Sequence, residues 1–159
     1  MKKTIAIFQK ELKHFFYSPI AYIVIAAFTL IAGIFFYLYL SSFVEAAFMD
    51  MMRSQQFRTA PQKFNINLQL IRPYFWNLAL ISLFVLPLVT MRLYSEEKRA
   101  GTVELLYTTP LSVANIVIGK FFAGIVFYIV MLIPTFIFMA LLFVYGNPEL
   151  GPVLSGYLG

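Results

Sequence analysis

Glu96 and Glu97 are the residues of this 159-residue chain that most invite a catalytic reading, as a pair of adjacent glutamates followed by basic residues. They lie in a charged block, Arg92-Leu-Tyr-Ser-Glu96-Glu97-Lys98-Arg99-Ala-Gly101-Thr102-Val-Glu104-Leu-Leu-Tyr-Thr-Thr-Pro110. Paired glutamates followed by arginine mark one family of intramembrane proteases. Those enzymes need the arginine four residues after the second glutamate, where this chain has Gly101, and histidines inside their spans. The only histidine is His14, near the start of the chain, so a zinc site with histidines at helical spacing is excluded. No Gly-x-Ser-x-Gly nucleophile elbow occurs, nor a Gly-x-x-x-x-Gly-Lys-[Ser/Thr] phosphate loop. Cysteine is absent, which removes disulfides and thiolate metal ligands. No catalytic, metal-binding or cofactor-binding residue is assigned, no cofactor is expected, and the chain does not read as an enzyme.

The elements around the block explain its setting. Charged residues make up 12% of the chain and hydrophobic ones 61%, with mean hydropathy +0.82. Soluble domains carry about 25% charge, so this chain reads as an integral membrane protein. Its 18 Phe and 10 Tyr suit lipid contact and interfacial belts. Net charge is +5, yet the basic residues are scattered around apolar stretches, which argues against nucleic acid as a partner. Three windows approach the roughly 20 apolar residues that a spanning helix needs: 19–40, 73–91 and 121–145. Backbone groups in lipid must pair internally, so all three read as helices, with Pro87 in the second and Pro134 a kink site in the third. The first run is too long for a signal-peptide core and has no small-x-small cleavage site after it, so it reads as an uncleaved anchor. No span carries an acid or a base, which removes most intramembrane acid–base chemistry.

Orientation follows from lysine and arginine. Lys2, Lys3, Lys10 and Lys13 precede span one, and Arg92, Lys98, Arg99 and Lys120 lie between spans two and three. Arg53, Arg58, Lys63 and Arg72 lie between spans one and two. A cytoplasmic N-terminus therefore places eight basic residues inside and four outside. The leader, 4–17, is amphipathic: Ile5, Phe8, Leu12, Phe15 and Phe16 share one arc, while Lys3, Lys10 and His14 face away. It reads as an interfacial helix that braces span one, with His14 solvated and Ser18-Pro19 starting a new helix. Between the first two spans, residues 42–72 read as an outer re-entry loop. Val44 to Phe57 has helical composition, Arg58-Thr-Ala-Pro61 is a break, and Arg72 to Trp76 is an interfacial entry. After Gly146-Asn147-Pro148, the last residues read as the first turns of a fourth span, as expected of a truncated chain.

Turn chemistry shapes the charged block. Gly101 permits a break, and Thr102 caps a short amphipathic helix, Val103 to Tyr107. Thr109-Pro110 then restarts a helix that runs through Lys120 into span three. Residues 92–120 are thus two helical stems joined by a crossbar with alternating charges and an apolar ridge at Leu105, Leu106 and Tyr107. Glu96-Glu97-Lys98-x-x-Gly101-Thr102-x-Glu104-Leu105-Leu106-x-x-x-Pro110-x-Ser112 resembles the inner loop of ABC-2 type permeases of ABC transporters. The likeness extends over nearly the whole chain and is greatest to the branch associated with gliding motility and nitrous-oxide metabolism. It implies an all-α integral membrane fold over 1–159, with an interfacial helix, three transmembrane helices and the start of a fourth, from a family whose complete members have about six. It also implies a bacterial inner-membrane location and a coupling loop at 92–120 that docks on a separate ATPase subunit through Glu96, Glu97, Gly101, Thr102, Glu104 and Pro110. A second permease subunit and the lipid bilayer complete the implied partners. The function expected is a permease that turns ATP hydrolysis by its partner into substrate movement; the alternative is a non-transporting scaffold that recruits a cytoplasmic protein. Asn77, Ser82, Pro87 and Pro134 are the candidate pathway or hinge residues.

Overall fold

The computed structural model describes residues 2–58, 60, 65–99, 113–146 and 148–158, with side chains left out of account at 2, 3, 92–99 and 113. Every regular element among the described residues is helical. In order they are α1 (Lys2–Tyr17), α2 (Pro19–Phe57), a π-helical turn (Asn67–Ile71), α3 (Arg72–Arg99), α4 (Val113–Leu132), α5 (Thr135–Gly146) and α6 (Leu150–Leu158). Three stretches are long and apolar enough to cross a membrane: Pro19–Phe57, Asn67–Met91 and Ala114–Gly146.

The first apolar helix does not end at Leu40. It continues through Phe57, because Glu45-Ala-Ala and Met49-Asp-Met-Met are good helix formers. The Ser41 hydroxyl donates to the Leu38 carbonyl at 3.0 Å and that of Ser54 to Met51 at 2.8 Å, so neither serine competes with the helix. At 1.5 Å per residue α2 is about 58 Å long, nearly twice the hydrocarbon thickness, so its polar C-terminal part extends beyond the lipid. Arg58, at φ 51°, stops it in the left-handed region.

The second apolar helix starts earlier than Pro73. Asn65 opens it, with its carbonyl accepting from the amides of Leu68 and Gln69, and the π turn follows, closed by the Arg72 amide on the Asn67 carbonyl. Pro87 lies inside α3, and the Thr90 hydroxyl donates to the carbonyls of Leu86 and Pro87 at 3.0 and 3.1 Å. Pro134 interrupts the third stretch, as its missing N–H requires: α4 ends at Leu132 and α5 begins at Thr135.

The chain divides into two compact units, Met1–Phe28 with Ser82–Ile133, and Thr29–Ile81 with Pro134–Gly159. The second is built on rings. Phe36 stacks on Phe138 at 5.4 Å and meets Tyr74 edge-on at 5.7 Å. Tyr157 stacks on Phe136 at 4.2 Å, and Phe75 meets it edge-on at 4.8 Å. That last approach requires Gly156, where a Cβ would come within 2.4 Å of the Phe75 ring. Tyr157 and Thr135 share a 3.0 Å hydroxyl contact, and Asn77 donates to the Tyr39 hydroxyl at 2.6 Å. Tyr74 is fully buried, and its hydroxyl has no hydrogen-bond partner among the described residues.

Candidate functional site

The charged block is only partly within the described residues. Glu96 and Glu97 lie on the last turns of α3, which runs without a break from the apolar stretch ending at Met91 to Arg99. Eight further residues at 1.5 Å each carry the helix about 12 Å past that stretch. Gly101, Thr102, Glu104 and Pro110 lie outside the described residues, as does the expected short helix Val103 to Tyr107. The described residues continue at Val113 with α4, which leads directly into the third apolar stretch.

What the first unit adds is the leader seated on that returning stem. Along α1, Thr4, Ile7, Glu11 and Phe15 recur at near-helical spacing, and Ile7, Glu11 and Phe15 are buried. Along α4, Asn115, Gly119, Ala123 and Phe127 recur every four residues. The two stripes meet. Thr4 donates through its hydroxyl to the Asn115 side-chain oxygen at 3.4 Å. Ile7 lies against Gly119, where a Cβ would be 2.8 Å from the isoleucine and 3.4 Å from the Phe8 backbone, so only glycine allows this approach. Phe15 and Phe127 stack at 4.9 Å with their planes 19° apart.

Between these contacts the Lys120 ammonium donates to Glu11 at 3.1 Å. The carboxylate is 2% exposed as a residue, and the lysine side chain keeps 27% of its surface in contact with the surroundings. A charge-assisted bond at this length offsets the desolvation of a carboxylate that would otherwise be buried alone. The leader's buried face therefore overlaps the arc read from the sequence only in part, sharing Phe15 with it. Ile5, expected on it, is half exposed, and Glu11, absent from it, is among the most buried residues of the helix. The described contacts of α1 run to α4, the start of span three, rather than chiefly to span one. The missed signal is a lone carboxylate between Ile7 and Phe15 on one helical face, which asks for a cation elsewhere in the chain.

The candidate hinge residues have structural partners. Asn77 bonds to Tyr39 and, at 3.0 Å, to the Pro73 carbonyl; Ser82 is buried and has a partner of its own. Pro87 is bridged by Thr90, and Pro134 separates two helices.

No curated protein and no solved structure matches the chain. The family model described as ABC-2 family transporter protein matches residues 5–153. That stretch contains most of the leader, the three membrane-crossing candidates found among the described residues and the charged block. The chain therefore belongs to the ABC-2 transporter family, as a multi-pass membrane component of the ABC-transporter type.

Proposed function

We propose that this chain is a permease subunit whose segment 92–120 grips a separate ATPase subunit and converts ATP hydrolysis there into substrate movement. The observation that carries the reading is the family match over a stretch that includes the acidic-basic-Gly-Thr-x-Glu-Leu-Leu block. Its helical approach supports it further, since α3 carries Glu96 and Glu97 well past the apolar stretch, toward water and a partner. Glu96, Glu97, Gly101, Thr102, Glu104 and Pro110 form the docking element. The chain has no phosphate loop of its own, so the nucleotide chemistry belongs to the partner.

Closure of two ATPase subunits displaces the crossbar around residues 102–107, and the stems on either side pass the displacement to the second and third spans as rigid elements. The N-terminus and this loop share the cytoplasmic face of a bacterial inner membrane, an orientation that the excess of lysine and arginine there supports. A second permease subunit pairs with this one, and the gliding-motility and nitrous-oxide branch is the nearest in kind.

The test is ATP hydrolysis by the complex purified from membranes with its ATPase. Reversing charge at Glu96 and Glu97 together lowers both association and hydrolysis about tenfold, the loss of roughly 1.4 kcal/mol of docking energy. Unchanged association with the doubly reversed chain contradicts the docking role. Association without any effect of permease on hydrolysis supports a scaffold instead.

A further inference from the structure

A groove in the first unit is lined by residues other than the Glu11–Lys120 pair. It has a volume of about 490 Å3 and sits where α1 ends and α2 begins. Leu12 and Phe16 of α1 and Val126 of α4 form its half-buried floor, which offers only carbon. Lys13, Tyr17 and Tyr22 stand exposed around it and contribute one ammonium and two phenol hydroxyls. Lys13 has no ion pair or hydrogen bond among the described residues, and the neighbouring carboxylate, Glu11, is already held by Lys120.

The location selects the medium. Tyr17 and Tyr22 flank the Ser18 turn, which ends an amphipathic helix and begins one of the membrane-crossing stretches. Such a junction lies at the boundary of headgroups and acyl chains, where tyrosine is enriched. An apolar floor beneath a cation with no counter-charge among the described residues is complementary to a molecule with a hydrocarbon tail and an anionic head. We propose that this groove binds one anionic phospholipid, with an acyl chain along Leu12, Phe16 and Val126 and the headgroup phosphate on Lys13. The Tyr17 and Tyr22 hydroxyls donate to the same phosphate. The bound lipid fastens the leader to the bilayer at the point where the chain turns into it.

Native mass spectrometry of the full chain, released from bilayers of equal phosphatidylglycerol and phosphatidylcholine, tests this without any ATPase. The wild type retains one phosphatidylglycerol in preference to phosphatidylcholine. Lys13→Gln lowers that preference about fivefold, the factor that one surface cation is worth. Val126→Trp fills the floor without altering charge and lowers retention of the lipid as well. Lys10→Gln, on the same helix but outside the groove, changes the preference less than twofold. Helix content by circular dichroism stays constant throughout. Equal losses for Lys10→Gln and Lys13→Gln overturn the proposal in favour of diffuse attraction between a basic helix and an anionic surface. Retention unaffected by Val126→Trp overturns it too, and so does equal retention of the two lipids by the wild type.

Discussion

Among the described residues, α1 is fastened to α4 in the first unit by a hydrogen bond, a buried ion pair and one ring stack, whereas the helices of the second unit are joined by four ring contacts and a few hydroxyl and amide bonds. The contrast follows from the medium. Between helices inside a bilayer there is no water to expel, so association rests on close packing and modest hydrogen bonds, which suits rings and small residues. An amphipathic leader of the kind the sequence predicts at the interface would meet water on one side, where a carboxylate can reach a cation. A carboxylate with one cation within reach fixes both the face and the axial position of the helix. In the first unit charge sets the register, and in the second shape does.

The largest effect expected from breaking this contrast is at Gly119. Gly119→Leu drives a side chain into Ile7 and the Phe8 backbone and separates α1 from α4. The chain lacks cysteine, so a Thr4→Cys, Asn115→Cys pair gives a clean cross-link across the seam. Its yield falls more than tenfold when Gly119→Leu is added. Next comes Lys120→Met, which leaves the Glu11 carboxylate buried without its cation. The loss is about 3 kcal/mol, the lower end for a broken buried pair because Lys120 is partly exposed. Exchanging the charges, with Glu11→Lys and Lys120→Glu together, recovers most of that stability, as read from thermal unfolding in detergent.

Smaller effects are expected among the rings. Tyr157→Phe keeps both ring contacts and removes the bond to Thr135, at a cost of about 0.6 kcal/mol, the average for such bonds in membranes. Tyr74→Phe removes a buried hydroxyl that has no partner and leaves stability unchanged or higher by about 1 kcal/mol. A larger loss from Tyr157→Phe than from Lys120→Met would invert the contrast.

The sequence makes some of this legible and hides the rest for physical reasons. Long apolar runs announce helices because lipid leaves the backbone no other way to pair. The break at Arg58 and the interruption at Pro134 follow from local chemistry. Glu11 does not, since its partner lies more than a hundred residues away and a carboxylate on a basic amphipathic helix ordinarily points to water. The helical composition of Val44 to Phe57 was legible, but its continuity with the apolar run ending at Leu40 was not: propensity carried the helix on where hydropathy stopped. The π turn at Asn67–Ile71 leaves no periodicity to read. At the charged block the pattern of residues is the whole of the signal, and α3 adds the helical stem that carries its first half away from the apolar stretch.

Whether that block is where an ATPase is gripped can be asked by a single cross-link. With no native cysteine, Glu104→Cys places one thiol-reactive site in the proposed docking segment and Glu45→Cys places one on α2 as a control. In native membranes treated with a short photoactivatable thiol reagent, position 104 joins the chain to a polypeptide that is itself labelled by azido-ATP, in a yield that changes with nucleotide. Position 45 does not. Labelling of an ATP-binding polypeptide from position 45 and not from 104 would contradict both the orientation and the docking role.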